Sequence, residues 1–430
     1  MLRLVPLLLC VLLATPVSAQ NFEVWLVDQS DSFGKTYGGT IHIYEGSQLN
    51  GAAAAAATPI DVLDLGGATA ERCMADTGVN PVRPHMLAFN STHSHAVLTF
   101  VASGQVVVFD ARTRVPVACI RTSAGVGGAR QAHAAQPTAD DAYILVANQN
   151  GKRVDRIATN YDENSFVLDD SLDLANGFTP NGFPREYAWR PDNAPIVVVP
   201  NAAGTLAFVT LRGGGLFVID PSATPMEIVA EYDRTTVHAN GFAGAELNGQ
   251  MYINSGAGGE ASNPSEFDLY RFPLSAFSSA NPPNSPAPVV LFSDDTVPPA
   301  HERDSHGVVI TKQNRYLWMF DRAMNVAEVF DTASDSRVAT IELVHPSAEH
   351  PTPDLADISP SGNRIFVSLR GPNPLSGSPH AATGSTPGLG VIQLRQGGRV
   401  GEMQSVVPIS NIDAAGVERA DSHGIRVRRK

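Results

Sequence analysis

One pattern constrains the fold of this chain more than any other: short strand-like segments, each opening on a histidine, that recur along its length. The five segments begin at His85, His133, His238, His306 and His423, and a sixth of the same kind begins at Asp354. Two of them share the string Asp-Ser-His-Gly, at 304–307 and 421–424. A residue type that recurs once per structural repeat predicts one shared place in the folded molecule. That place would be rich in imidazole, the commonest protein ligand for transition metals.

Each segment opens a series of four predicted strands. The segment at His306 is followed by β-branched, turn-bounded runs at 315–320, 326–331 and 338–343, which predict a meander. His85, His133 and Asp354 open similar series, and the unit at His238 fits with a small insertion. A seventh unit, at 195–232, carries Ile196 at the histidine position. The unit starts lie 42 to 69 residues apart, which is typical of four-stranded propeller blades.

The two ends of the chain complete the repeat count. His423 opens one last strand, while the runs 22–27, 40–44 and 60–65 match strands two to four of the other units. One blade would therefore combine the C-terminal strand with the N-terminal strands, which leaves no open seam in the ring. The sequence predicts an all-β protein in which residues 21–430 form a single seven-bladed β-propeller domain.

Residues 1–20 are typical of a secretory signal peptide. Arg3 precedes an apolar stretch over 4–17, and small residues before Gln20 offer a cleavage site. The apolar stretch is too short for a membrane span, and no later segment is long enough. Cys73 and Cys119 remain after cleavage, and in an oxidising compartment they predict one disulfide, with metal-binding thiolates as the alternative. We therefore expect a periplasmic or secreted protein without a membrane span.

Charge and motif content exclude several partner and reaction classes. The formal net charge of −13 argues against nucleic acid or an anionic membrane surface as the partner, and it favours the attraction of cations. Neither a zincin His-Glu-x-x-His helix nor a Gly-x-Ser-x-Gly elbow is present in the sequence.

The recurring position predicts a ring of side chains in the central channel, because the first strand of each blade lines that channel. The predicted metal ligands are His85, His133, His238, His306, Asp354 and His423. Imidazole together with carboxylate suits copper, zinc or iron better than calcium or magnesium. The alternative is a polar channel in which the histidines hydrogen-bond to trapped water.

Several charged residues near the ring could support this site. Asp304 and Asp421 each precede a ring histidine by two residues, where a carboxylate can orient an imidazole or simply cap a turn. Glu186 precedes the blade that lacks a ligand and could reach over the gap. Four arginines that precede ring histidines could guide a small anion or form surface ion pairs; they are Arg83, Arg130, Arg234 and Arg303.

Repeats of this type resemble the seven-bladed propellers of the YVTN and nitrous-oxide-reductase-like superfamily, over nearly all of the chain after residue 20. Several members of that superfamily hold copper in the central channel through one histidine per blade. The resemblance implies copper as the favoured metal, with zinc or iron as alternatives. This chain has neither the thiol-rich electron-entry domain nor the paired-histidine motif of particular members.

Three functions are compatible with these features. The first is a copper-dependent oxidoreductase that acts on a small molecule, which the arginines could guide if it is an anion. The second is a non-catalytic propeller that binds or delivers metal, and the third is a metal-assisted hydrolase or lyase of lactonase type. The first two imply a redox or metal-transfer partner protein.

Overall fold

The structure is a computed structural model, and it describes residues 21–174, 193–256, 267–277, 285–294, 303–375 and 383–430. The predicted signal peptide and Glu186 lie outside the described residues. Among the described residues, no helix has the length and hydropathy needed to cross a membrane.

The described residues form seven antiparallel sheets of four strands each. This arrangement confirms the predicted seven-bladed β-propeller. We number the blades from the one that carries His85. Each sheet begins at the central channel with the strand that opens on the recurring position, and the next three strands follow outward as a meander.

The strands of the first three blades alternate with short turns. Blade 1 contains β4 (Pro84–Phe89), β5 (His95–Phe100), β6 (Gln105–Asp110) and β7 (Val115–Arg121). Blade 2 contains β8 (Ala132–Pro137), β9 (Tyr143–Asn148), β10 (Arg153–Asn160) and β11 (Ser165–Asp173). Blade 3 contains β12 (Pro195–Pro200), β13 (Ala207–Leu211), β14 (Leu216–Asp220) and β15 (Glu227–Tyr232).

Blades 4 to 6 repeat the same meander. Blade 4 contains β16 (Gly244–Leu247), β17 (Gln250–Ser255), β18 (Phe267–Pro273) and β19 (Val289–Asp294). Blade 5 contains β20 (Ser305–Ile310), β21 (Tyr316–Asp321), β22 (Val326–Asp331) and β23 (Ser336–Glu342). Blade 6 contains β24 (Pro353–Ile358), β25 (Arg364–Leu369), β26 (Gly388–Arg395) and β27 (Val400–Pro408).

Blade 7 joins the two ends of the chain, as the sequence predicts. Its innermost strand is β28 (Ser422–Arg429), followed by β1 (Phe22–Asp28), β2 (Thr40–Glu45) and β3 (Asp61–Asp64). The antiparallel register runs from Phe22 opposite Arg429 to Asp28 opposite Ser422. The backbone hydrogen bonds of this pair close the ring, because they join residues from opposite ends of the sequence.

The hydrophobic core lies between neighbouring blades. Val97 and Val108 of blade 1, for example, are fully buried in one cluster with Ile144 and Val146 of blade 2. Each sheet therefore buries both of its faces against the neighbouring sheets, and every face is covered only when the ring of blades is complete.

One helix that the sequence analysis did not predict packs beside blade 1. Helix α1 (Ala68–Thr77) ends at Gly78, which adopts a left-handed conformation with φ of 71°. Cys73 of this helix forms a disulfide with Cys119 of β7 across 46 residues of sequence, which confirms the predicted bond. Within the described ranges, five short 3₁₀ helices occupy connections, at Gly46–Gln48, Gly51–Ala56, Val126–Gly128, Leu274–Ala276 and Gln396–Gly398.

We expect removal of the disulfide to destabilise the protein without changing its fold. The loop-entropy relation gives a loss of about 4 kcal/mol for a loop of this length as an upper value. Urea unfolding of the Cys73→Ala/Cys119→Ala variant, compared with the wild type with and without reductant, measures the difference. An unchanged unfolding midpoint in both comparisons would contradict a stabilising role.

Candidate metal centre

The seven blades can be aligned on one backbone hydrogen bond that each of them makes. The residue directly after the second strand of a blade donates its N–H to the carbonyl of the residue two before the ring position. The donor–acceptor pairs are Val101–Arg83, Gln149–Gln131, Arg212–Ala194, Gly256–Ala239, Arg322–Asp304, Arg370–Thr352 and Gln29–Asp421. This register defines the ring positions as His85, His133, Ile196, Gly241, His306, Asp354 and His423.

The register corrects one of the predicted ring residues. Gly241, not His238, holds the ring position of blade 4, because the insertion in that blade shifts the sequence by three residues. His238 is partly exposed, and its Nδ1 lies 2.9 Å from Oδ2 of Asp268. It is absent from the one group of metal-capable side chains that the described residues bring together.

The backbone beneath several ring residues is held by the preceding blade. A polar side chain one residue before the end of the second strand donates to the carbonyl of the next blade's ring residue. The pairs are Thr99 to His133, Thr210 to Gly241, Asn254 to His306 and Ser368 to His423, at 2.5 to 3.2 Å. The hydrogen bond from Thr210 is independent evidence that Gly241 holds the ring position of blade 4.

His306, Asp354 and His423 form the centre of the ring. Their ligand atoms lie within 4.8 Å of one another, and all three residues are buried. Nε2 of His306 and Nε2 of His423 each lie 3.7 Å from Oδ1 of Asp354. That oxygen is buried and has no hydrogen-bond partner among the described residues, and the same holds for Nδ1 of His423.

His85 and His133 complete the cluster on one side. Their Nε2 atoms lie 3.2 Å apart, and the ring of His85 stacks on that of His423 with centroids 3.8 Å apart. Nδ1 of His133 donates to the carbonyl of Ile196 at 2.8 Å, which leaves its Nε2 with a lone pair directed at His85. The amide of Gln29 contacts Nδ1 of His85 at 2.8 Å. The structure thus gathers five of the six predicted ligands.

Phe242 fills the gap that the two ligand-free blades leave in the ring. Its aromatic ring stacks on His306 with centroids 3.6 Å apart and lies 5.8 Å from the ring of His133. The ring residues of blades 3 and 4, Ile196 and Gly241, offer no donor side chain. The cluster is therefore polar on the side of blades 5, 6, 7, 1 and 2, and apolar on the opposite side.

A chain of buried ion pairs holds the carboxylate of Asp354 in place. Its Oδ2 accepts hydrogen bonds from Nη1 of Arg322 at 3.1 Å and from Nη1 of Arg370 at 2.8 Å. Arg322 also pairs with Asp304, and Arg370 binds Asp421 through two parallel bonds of 2.6 and 2.7 Å. Paired bonds of this kind fix orientation, so Asp354 presents only Oδ1 to the channel.

The predicted orienting role holds for one of the two aspartates. Asp304 accepts from Nδ1 of His306 at 3.1 Å, so the Nε2 of that imidazole faces Asp354 as a lone pair. Asp421 makes no such contact with His423, because both of its oxygens are bound by Arg370. Its Oδ1 also accepts from the N–H of Gly371.

The four arginines that precede ring histidines differ in their surroundings. Arg303 is buried in ion pairs with three carboxylates, those of Asp294, Asp321 and Glu328. Arg130 donates to main-chain carbonyls. Arg83 is partly buried near Asp31, and Arg234 is exposed. Any guidance of an anion would therefore fall to Arg83 and Arg234.

Sequence reasoning missed Arg322, Arg370 and Phe242. A signal for the arginines does exist, since the residue after the second strand is arginine in blades 3, 5 and 6, at Arg212, Arg322 and Arg370. Phe242 could not be found without the corrected register, which places it directly after the ring position of blade 4.

Burial lowers the pKa of three imidazoles in this cluster, those of His85, His133 and His423. Burial, reinforced by His423, lowers the pKa of His85 well below its usual value, and burial lowers the pKa of His133 to about 4. The pKa of His423 is also lowered by burial, although Asp354 opposes the shift. Burial alone would raise the pKa of Asp354, but His423, His306 and the two guanidiniums hold it well below its usual range. Neutral imidazoles beside an ionised carboxylate are the protonation states that metal ligands need.

Comparison with known proteins supports the fold and nothing finer. Neither a protein-family model nor a curated protein sequence matches the chain. A solved structure described as a hypothetical selenium-binding protein from Sulfolobus tokodaii is 10% identical, with 96% of this chain and 94% of that chain covered at a TM-score of 0.63. The periplasmic gluconolactonase of Pseudomonas aeruginosa is 14% identical, with 94% and 99% covered at a TM-score of 0.55. At these identities the likeness shows a shared propeller fold.

The lowered imidazole pKa values predict acid sensitivity of the metal-free protein. In the unfolded chain His133 takes up a proton below pH ~6.5, whereas in the folded protein it does so only near pH 4. Its contribution to the free energy of unfolding is therefore fully present above pH ~6.5 and is lost as the pH falls towards 4. His133 alone accounts for about 2 kcal/mol at pH 5.

Unfolding free energies of chelator-treated protein at several pH values between 7.5 and 5 test this expectation. The His133→Gln variant should show a shallower decline. Burial lowers the pKa of His42, outside the ring, to about 4 as well, so His42→Gln should make the decline shallower by a similar amount. An identical pH dependence in wild type and His133→Gln would contradict the assignment.

Proposed function

We propose that this protein is an exported metalloprotein that binds a transition-metal ion at His306, Asp354 and His423, with His85 and His133 beside the ion. The single observation that carries the proposal is the buried Oδ1 of Asp354. It has no hydrogen-bond partner among the described residues and lies 3.7 Å from two imidazole nitrogens. Burying a carboxylate oxygen without a hydrogen-bond partner costs free energy, so such an atom points to a site for a cation.

The distances suit a shared ion better than direct hydrogen bonds. A separation of 3.7 Å is beyond hydrogen-bond range. Two ligand atoms that each lie about 2.1 Å from one ion are separated by roughly 3–4 Å. In the neutral form that donates from Nδ1 to Asp304, His306 directs the lone pair of Nε2 towards Oδ1 of Asp354. A cation placed between these two atoms would satisfy both.

The surrounding residues would define how such an ion is held. Arg322 and Arg370 occupy Oδ2 of Asp354, so the carboxylate would bind through one oxygen only. His133 would offer Nε2 directly, since its Nδ1 is bound by a carbonyl. His85 would offer Nε2 only if the Gln29 side chain turned its carbonyl oxygen towards Nδ1, because an amide N–H at Nδ1 leaves the imidazole proton on Nε2.

Copper is the metal we favour, with zinc or iron as alternatives. The donor set of imidazole and carboxylate without thiolate suits all three, and the resemblance to copper-holding propellers favours copper. Copper would supply one-electron redox chemistry. The protein would then be an oxidoreductase acting on a small molecule, and it would exchange electrons or metal with a partner protein.

A metal-assisted hydrolase of lactonase type is the second candidate. With only three protein ligands, a non-redox ion would keep coordination positions for water. Those ligands would be His306, Asp354 and His423. The propeller fold is shared with a protein named as a periplasmic gluconolactonase. Because one fold hosts many functions, this likeness supports the candidate only by analogy. A non-catalytic metal carrier would use the same ligands without turnover.

An exported location fits the disulfide of this chain. The Cys73–Cys119 bond is of the kind that persists in oxidising compartments. We propose the periplasm or the extracellular space, which agrees with the predicted signal peptide at residues 1–20.

Single substitutions in the ring should reduce metal binding without unfolding the propeller. We expect His306→Ala, Asp354→Asn and His423→Ala each to weaken copper or zinc binding by about two orders of magnitude or more, since each removes a direct ligand. Elemental analysis of purified protein and competition titration with a chromophoric chelator measure the change. His238→Ala is the matched control, because its imidazole pairs with Asp268, and it should keep wild-type metal content. Full metal content in all three ring variants would contradict the proposal.

Metal identity and turnover separate the candidate functions. An oxidoreductase should contain copper when prepared from its native host, with an electron paramagnetic resonance signal that disappears on reduction and is altered in Asp354→Asn. Bound zinc with lactone hydrolysis that depends on Asp354 would instead favour the hydrolase. Bound metal without either activity would favour the non-catalytic metal carrier.

A further inference from the structure

A chamber lies in the central channel beside the ring, on the side towards which the inner strands run from the ring positions. Its volume is about 240 Å³, and residues from the inner strands of all seven blades line it. Five lining residues come directly after a ring position, and the three largest of them are Met86, Phe242 and Leu355. None of the five clustered ring residues lines the chamber, which meets the cluster through Phe242 because that ring also stacks on His306.

Blade 4 contributes three small residues to the chamber. At the second to fourth positions after the ring residue, blade 4 has Ala-Gly-Ala over 243–245, and all three residues line the chamber. The same positions are Val-Val-Pro over 198–200 in blade 3 and Val-Val-Ile over 308–310 in blade 5. At these positions the side chains of blade 4 therefore occupy less of the channel than those of blades 3 and 5.

Three polar side chains line the chamber. They are Gln136 of blade 2, Glu246 of blade 4 and Arg426 of blade 7. Glu246 accepts from the N–H of Ala202, and Arg426 donates to the carbonyl of Ile425 at 3.2 Å. A cavity lined by apolar side chains together with a few polar groups is the common form of a small-molecule site.

We propose that this chamber binds a small uncharged molecule with an apolar body and one hydrogen-bonding end. The apolar body would pack on Met86, Phe242 and Leu355, and the polar end would face Gln136, Glu246 and Arg426. The other residues that line the chamber have no charged side chain, which disfavours a charged body because its desolvation would not be repaid there. An apolar cavity of about 150 Å³ accepts benzene, so this volume suits a molecule only somewhat larger. The proposal goes beyond the metal function and does not depend on it.

Benzyl alcohol, toluene and xenon probe the chamber in chelator-treated protein. We expect saturable binding of benzyl alcohol in calorimetric or ligand-observed nuclear magnetic resonance titrations. The Ala245→Leu variant, which fills the chamber, should weaken binding about tenfold or more. Ala75→Leu, on the exposed face of α1, is the matched control and should bind as the wild type does. Gln136→Leu should weaken benzyl alcohol but not toluene, because only the alcohol has a polar end.

A crystal pressurised with xenon gives an independent readout that needs no variant. We expect xenon density between Phe242 and Leu355. If Ala245→Leu does not fold, Ala243→Val replaces it, since valine holds that position in blades 3 and 5. Absence of both xenon density and saturable probe binding would mean a chamber that holds water only and would overturn the proposal. Binding of equal strength in the filled variant would place the probes elsewhere and would overturn it as well.

Discussion

The pairing of β28 with β1 is the constraint on which the rest of the molecule depends. It joins strands that are almost 400 residues apart in sequence, in register from Phe22 opposite Arg429 to Asp28 opposite Ser422. Each blade buries both faces against its neighbours, so no blade is covered until the circle is complete. The same closure brings His423 beside His85 and Asp354, which come from blades at opposite ends of the repeat series. Fold and candidate metal centre therefore form together.

The centre also contains a chain of five buried charged residues. Asp304, Asp354 and Asp421 are joined by Arg322 and Arg370 across blades 5, 6 and 7, and all five are buried. Three carboxylates against two guanidiniums leave one negative charge in excess. Oδ1 of Asp354 is the oxygen of that carboxylate that the arginines leave without a partner. Charge balance and geometry thus point to the same atom as the place for a cation.

Much of this arrangement follows from the sequence, and the errors have physical causes. Period and strand pattern predict the seven blades and the closure correctly, because β-meanders repeat with nearly constant length, and five of the six predicted ligands lie close together in the structure. His238 was misaligned because the insertion in blade 4 shifts the register by three residues, and a histidine happens to precede Gly241. The ion pairs of Arg322 and Arg370 were missed because each crosses from one blade to the next, which a repeat pattern does not show. Helix α1 is short and partly exposed, so its apolar periodicity is weak.

The hydroxyl and amide groups that hold the ring carbonyls give the centre a cooperative character. Thr99 supports His133, Asn254 supports His306 and Ser368 supports His423, and in each case the donor belongs to the preceding blade. No blade positions its own imidazole unaided. An excised blade would retain its histidine but lose the neighbouring groups that position it, and a substitution far from the channel axis that shifts one sheet would also shift the imidazole of the next blade.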